Sequence, residues 1–121
     1  MKSISFAWTT VAVRARAKKC TRRNWTPEYA RRFFEGQKVL GITRNYRFGG
    51  TPFAIVQLTA DPCSERTGKM TEQDYEDEGL LWMERQGLLI RGIEPRLFFD
   101  NWKEENEQVF VVRFNIVEIL E

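Results

Sequence analysis

The sequence predicts a single small α+β domain over residues 1–121, in which about five to six mixed, mostly antiparallel strands form a partly open β-barrel with helices at its edge. The chain has 121 residues, the length of one domain. The predicted elements follow the order strand, helix, strand, helix, two strands, two helices, strand. The last strand is a long β-branched and aromatic run, and the two middle strands flank a Gly-Gly turn.

The first part of the chain predicts a strand, a helix and a second strand. Residues 2–7 alternate polar and apolar side chains. Thr9 and Thr10 are suited to cap a helix that runs through Arg16, where no Gly marks its end. Residues 20–25 then predict a short strand.

A helix and a hairpin come next. Residues 26–28, Thr-Pro-Glu, combine a capping hydroxyl, a proline in the first turn and an acid near the positive end of the helix dipole. We expect this helix to end at Gly36. Residues 38–45 and 52–60 predict paired strands around a turn at residues 49–50.

Two helices and the closing strand complete the predicted fold. Thr71 begins a helix with Asp74 placed as the acid of a capping box, and Gly87 closes this helix. Pro95 opens a short helix. Residues 108–120 alternate in the manner of a long strand.

The residue types limit the chemistry. The chain has no His and two Cys, so a structural zinc site lacks its ligands, and we predict neither a metal nor a cofactor. Cys20 and Cys63 belong to no CxxC pair, which favours two reduced thiols over a single disulfide. Without His, any acid–base work falls to Lys, Glu, Asp or Tyr.

The N-terminus has neither the apolar run nor the cleavage site of a signal peptide. No stretch approaches 18 apolar residues, so we expect no membrane partner and a cytoplasmic location.

Charge is distributed unevenly along the chain. Residues 1–60 hold 12 of the 19 Lys and Arg but two of the 17 Asp and Glu, which gives this half a net charge of +10 and the other half −8. Such asymmetry is a hint of polyanion binding. The alternative is that the halves interleave their charges in space as solvated faces and ordinary ion pairs.

Basic residues are concentrated in residues 14–23, where six of ten residues are Lys or Arg. Lys18 and Thr21 lie three apart at a predicted helix-to-strand corner, and Arg23 shares the strand face of Thr21. Such a group can hold a phosphate or polarise a carbonyl. The alternative is a solvated helix face followed by a protected edge strand.

The acidic run at residues 76–78 lies in the helix that Thr71 begins. A charge run is usually a solvated face. A Glu at the edge of the apolar stripe that includes Leu80 and Leu81 can instead point into a cleft, where burial would raise its pKa and suit it to donate a proton.

Aromatic residues raise the question of base stacking. Trp8 and Trp25 flank the basic segment and are the better candidates for it, although core packing is the usual role of such rings. Trp82 and Trp102 lie on amphipathic helices and are predicted to be core.

The tip of the predicted hairpin combines aromatic and basic side chains. Tyr46 and Phe48 approach the turn beside Arg44 and Arg47. This tip can contact RNA or simply cover the end of the barrel.

The order of these features resembles the ASCH family. The run K-K-C-T-R-R at residues 18–23 is similar to the family motif G-x-K-T-x-T-x-R. Residues 37–43 follow Gly36 as in the family's G-D-x-V strand entry, and FVVRFNIVEI at residues 110–119 is similar to its final strand. The resemblance covers most of the chain and implies a PUA-like β-barrel whose cleft handles RNA or nucleosides.

One branch of this family resembles amidohydrolases that remove the acetyl group from acetylated cytidine. The resemblance implies Lys18 as base, Thr21 as nucleophile and Glu78 as proton donor. On the hypothesis of a hydrolase, we expect Arg23 to orient the substrate. Other members resemble RNA-binding modules or single-strand ribonucleases, so both remain alternatives.

The chain departs from the family motif at two positions and adds a charge. Arg16 replaces the motif Gly and Lys19 replaces the first Thr, which makes Lys19 a second candidate base. The additional Arg22 makes the expected cleft more basic than a nucleoside requires. A ligand that carries phosphate, either RNA or a nucleotide, therefore remains an alternative.

Overall fold

The computed structural model describes residues 1–120, and within them six strands and five helices form a mixed α+β fold around one curled sheet, a half-barrel. The strands are β1 (Ser3–Ser5), β2 (Cys20–Arg23), β3 (Lys38–Ile42), β4 (Pro52–Leu58), β5 (Cys63–Arg66) and β6 (Gln108–Ile119). The helices are α1 (Thr10–Arg14), α2 (Pro27–Ala30), α3 (Glu72–Asp77), α4 (Leu80–Arg85) and α5 (Pro95–Glu105). The predicted fold class is confirmed.

Strand β6 is the central strand of the sheet, because three other strands pair with it. The strand order is β1-β3-β4-β6-β2, and β5 also pairs with β6. The pairing of β1 with β3 is parallel, and the other pairings are antiparallel. Because β6 has 12 residues, it pairs with β4 along its second half and with β2 and β5 along its first.

The first helix differs from its prediction. It is one turn long, follows a 3₁₀ turn at Ala7–Thr9, and ends before Arg16, which adopts a left-handed φ of 60°. The predicted capping by Thr9 and Thr10 is wrong, because neither hydroxyl accepts from a backbone N–H. The two hydroxyls donate instead to carbonyl oxygens three residues earlier.

The next segments are shorter than predicted, and one strand was missed. Strand β2 stops at Arg23 instead of residue 25. The Thr26 hydroxyl caps α2 by accepting from the N–H of Tyr29, as predicted, but α2 ends at Ala30 and not at Gly36. Strand β5 was not predicted.

The single helix predicted between Thr71 and Gly87 is two helices. The capping box of Thr71 and Asp74 is present, as predicted. Helix α3 then stops, and Gly79 takes a φ of +87° between it and α4. A Cβ on Gly79 would lie 2.7 Å from the Cβ of Ala12, so both the backbone angle and the close approach of α1 require glycine here.

Two hydrophobic clusters form the core. The first lies on the sheet and includes Phe6, Phe53 and Phe114. The second lies among the helices and includes Tyr75 and Phe99. Among residues 1–120, no helix is long and apolar enough to cross a bilayer.

Candidate functional site

A cavity of about 270 Å³ opens between the segment that follows β1, strand β2 and helix α5. One part of its wall is aromatic, with Phe6, Trp8, Phe98 and Trp102. The other part is polar, and its members include Lys18, Thr21, Arg22, Arg23, Asn45 and Glu78. Apolar walls with a few convergent polar groups are typical of ligand sites.

A larger hollow of about 440 Å³ lies elsewhere, between α2 and the chain after β4. Its charged residues are Arg31 and Asp61, and the rest of its lining is apolar or proline. The smaller cavity is the candidate site because it alone of the two gathers several buried ionisable groups.

Lys18 is buried at the corner between α1 and β2. The left-handed Arg16 ends the helix and turns the chain, and the side chain of Lys18 is only 1% exposed. Its Nζ donates to Glu78 Oε1 at 2.8 Å and to the Glu78 carbonyl oxygen at 2.9 Å. The second bond satisfies a carbonyl that the end of α3 leaves free, at the negative end of the helix dipole.

Glu78 is the shared acceptor of the site. In addition to Lys18, its carboxylate faces Arg22, whose Nη1 lies 2.7 Å from Oε2, and the thiol of Cys20, whose Sγ lies 3.5 Å from the same oxygen. Burial alone would raise the pKa of Glu78, but the charges of Lys18 and Arg22 outweigh burial and lower it. The predicted raised pKa is therefore wrong, and Glu78 is a carboxylate in the resting site.

Arg22 is turned inward to acidic partners. Its side chain is fully buried, and its Nη2 donates to Asp74 Oδ1 at 2.9 Å. Burial would lower the pKa of Arg22, but the carboxylates of Glu78 and Asp74 raise it above its ordinary value. Both terminal nitrogens are occupied by carboxylates, so Arg22 meets a ligand phosphate only if these contacts break.

Thr21 and Arg23 form a second pair on the same wall. Arg23 Nε donates to Thr21 Oγ1 at 3.1 Å, and the guanidinium lies 5.7 Å from the centre of the Phe6 ring. Burial lowers the pKa of Arg23 to about 10. The hydroxyl of Thr21 thus already accepts from a cation, and the hydrogen bonds of Lys18 go to Glu78.

The structure brings some of the other predicted residues to this cavity. Trp8 lies on its wall, 38% exposed, with its ring edge-on to Phe98 at 5.0 Å between centroids. Arg44 and Arg47 are exposed on the hairpin tip, and Asn45 between them reaches the cavity wall.

Two predicted residues lie elsewhere. Trp25 stacks on Phe33 with 4.4 Å between centroids and packs against the sheet cluster. Lys19 is exposed, and its N–H donates to the carbonyl oxygen of Asp77 at 2.7 Å, so it lines a different hollow. Lys19 lies just before β2, and Trp25 lies beyond its end.

Asn45, Asp74 and Phe98 are parts of this region that the sequence did not predict. A hairpin residue and a capping acid give no sequence signal of a distant contact. Trp102, predicted to be core, packs against the helical cluster and also lines the cavity.

The state of the cysteines and the pairing of the charges can both be compared with the predictions. Both cysteines are free, as predicted, with Cys20 buried and Cys63 exposed. Within residues 1–120, Lys18 and Arg22 are the bases of the first half that form ion pairs, and their partners lie in the acidic second half. Interleaving therefore neutralises a small part of the asymmetry. Residues 1–120 contain no cluster of His, Cys, Asp or Glu suited to a metal ion.

Comparisons with known proteins give information on the fold only. No family model matches the chain, and no curated protein matches it. The chain is similar to the crystal structure of protein EF3133 from Enterococcus faecalis V583, which is described by the family model DUF984. The sequence identity is 15% and the TM-score is 0.55. The match covers 98% of this chain and 77% of that one, and such a likeness shows a shared fold.

Proposed function

We propose that the chain is an ASCH-type protein of the PUA-like fold and that its cavity binds an acylated cytidine or a related modified nucleoside and hydrolyses the amide. The observation that carries the proposal is that Lys18, Thr21 and Glu78 line one small cavity that also has an aromatic wall. The cavity, at about 270 Å³, lies just below the usual range of ligand pockets, roughly 300–1,000 Å³, so the proposed ligand is a small one.

The chemistry starts from an ammonium and a carboxylate. Lys18 can accept the proton of Thr21 only after it passes its own proton to Glu78 along their 2.8 Å hydrogen bond. The Thr21 oxygen then attacks the amide carbonyl carbon, and the protonated Glu78 gives its proton to the departing amine. Lys18 then passes its proton to Glu78 again and accepts a proton from water, whose oxygen attacks the acyl carbon. The bond to Thr21 Oγ1 breaks, Glu78 returns its proton to that oxygen, and the free carboxylic acid leaves.

Arg23 supplies positive charge beside this step. Its Nε already lies 3.1 Å from Thr21 Oγ1, so it is near the place where the attacked carbonyl oxygen becomes negative. A fixed cation there stabilises the tetrahedral intermediate.

The test is release of cytidine from acetylcytidine, followed by chromatography with the purified protein. We expect Lys18→Ala and Thr21→Ala to lower turnover by about 10²-fold or more. Arg91→Met is the matched control, because Arg91 is exposed and lies outside the cavity. Undiminished turnover in Lys18→Ala would contradict the mechanism, and no turnover in the unmodified protein would contradict the activity.

A second candidate is a non-catalytic RNA-binding module, which the hairpin tip favours. Arg44, Tyr46, Arg47 and Phe48 are all exposed there, next to the cavity residue Asn45. Cations with aromatic rings are the usual surface for single-stranded RNA.

For this candidate we expect single-stranded RNA to bind with an affinity that falls steeply with salt. Binding that does not change with salt would count against it. RNA fragments in the same assay would indicate a ribonuclease instead.

A further inference from the structure

Glu78 is held between two cations, one on each carboxylate oxygen. Lys18 takes Oε1 at 2.8 Å and Arg22 takes Oε2 at 2.7 Å, and all three side chains are at most 5% exposed. A carboxylate with free rotation could present either oxygen to Lys18. With Arg22 on Oε2, only Oε1 faces the ammonium.

Arg22 is itself fixed by α3, the helix that Glu78 caps. Its two terminal nitrogens reach Asp74 and Glu78, which are four residues apart and therefore lie one turn apart on the same helix face. Asp74 gives Oδ1 to Arg22 and uses Oδ2 for the cap at Thr71. The guanidinium thus ties strand β2 to a full turn of α3.

The charged and titratable groups around Glu78 come from four places. Lys18 precedes β2, Cys20, Arg22 and Arg23 belong to β2, Asp74 belongs to α3, and Glu65 of β5 lies 3.9 Å from Arg22. Of these, Arg22 is the one that both touches Glu78 and is anchored by a second acid. Its position is a variable one in the K-x-x-T-x-R spacing, so the motif does not account for it.

We propose that Arg22 is a positioning residue that presents Oε1 of Glu78 to Lys18 and keeps the shared proton of this pair on Lys18 until a ligand enters. The role given to the pair rests on the proposed function. A cation on Oε2 stabilises the carboxylate, whereas an isolated buried pair would gain by becoming neutral. Arg22 therefore sets the state from which the proton relay starts.

The experiment compares Arg22→Met, Arg22→Lys and Asp74→Asn with the control Arg91→Met. The first readout is the titration of the Glu78 carboxyl by ¹³C NMR, assigned by the signal that Glu78→Gln removes, and it needs no activity. Because a nearby cation lowers a carboxyl pKa by roughly 1–3 units, we expect an upward shift of that order in Arg22→Met. We expect a smaller shift in Asp74→Asn and most of the original value in Arg22→Lys.

The second readout is the pH profile of cytidine release. We expect the acidic limb of this profile to move to higher pH in Arg22→Met and to lie near its original pH in Arg22→Lys. A merely structural role would not produce this pattern. A Glu78 titration unchanged in Arg22→Met would overturn the proposal, and if that variant does not fold, an unchanged titration in Asp74→Asn does so. Failure of the proposed function is separate, because it appears as absent turnover in the unmodified protein while the NMR titration still judges Arg22.

Discussion

Lys18 binds Glu78 twice, through the side chain at 2.8 Å and through the main-chain carbonyl at 2.9 Å. One ammonium group therefore neutralises the carboxylate and also closes the end of α3. Two functions of the fold, the helix end and the charge of the cavity, depend on this single side chain.

Removing that side chain is expected to destabilise the protein. Lys18→Met leaves a buried carboxylate with one cation fewer, and breaking a buried pair typically costs about 3–5 kcal/mol. Urea unfolding monitored by circular dichroism measures the loss. The control is Glu72→Gln, which breaks the exposed pair with Arg96 and is expected to change the free energy of unfolding little. Equal losses in the two variants would contradict this prediction.

Stability is expected to fall in acid because of Glu78. Its pKa in the folded protein is below the ordinary 4.5, so the folded state holds its proton less tightly than the unfolded chain. The stabilisation is then complete above about pH 4.5 and is lost as the pH falls through the lower folded value. Urea midpoints over this range should drop more steeply in the unmodified protein than in Glu78→Gln. Parallel curves would show that other groups are responsible.

Gly79 and Gly36 offer a matched pair of substitutions. Their φ angles are +87° and +84°, but a Cβ on Gly79 would meet Ala12 at 2.7 Å, whereas a Cβ on Gly36 would meet nothing within 4 Å. Gly36→Ala is expected to lose about 1–2 kcal/mol from the left-handed backbone alone. Gly79→Ala should lose clearly more by urea unfolding, and a loss no larger than that of Gly36→Ala would contradict the close packing of α1 on Gly79.

The two thiols are expected to react at different rates. Cys63 is exposed, while burial and the neighbouring carboxylate of Glu78 raise the pKa of Cys20. A colorimetric thiol reagent should therefore modify one cysteine quickly in the native protein and both in denaturant. The variant Cys63→Ser should remove the fast phase, and a fast phase that survives would place a reactive thiol at Cys20.

Local patterns predicted the elements whose stability is local. The alternation of β6 and the reciprocal cap of Thr71 and Asp74 are examples, because both are properties of neighbouring residues. Strand β5 has the polar sequence Cys-Ser-Glu-Arg and exists through its backbone pairing with β6, which no local pattern reports. The interruption at Gly79 likewise depends on Ala12, a contact between distant segments.

The candidate site shows the same division. The resemblance to the ASCH motif implied Lys18, Thr21 and Glu78 as a set, and all three line the cavity. The ionisation of Glu78 could not be predicted, because it depends on Lys18 and on Arg22, which turns inward to Asp74 and Glu78. The direction of Trp25 was equally hidden, since its stacking partner Phe33 lies beyond a helix that proved shorter than expected.

The central place of β6 has a consequence for how the sheet opens. Strands β2, β4 and β5 all hydrogen-bond to it, so the sheet cannot lose this strand and keep its remaining pairs. We therefore expect local fluctuations to be confined to the short outer segments, and we expect the hydrogen-bonded amide protons of β6 to exchange with solvent only when the whole molecule unfolds.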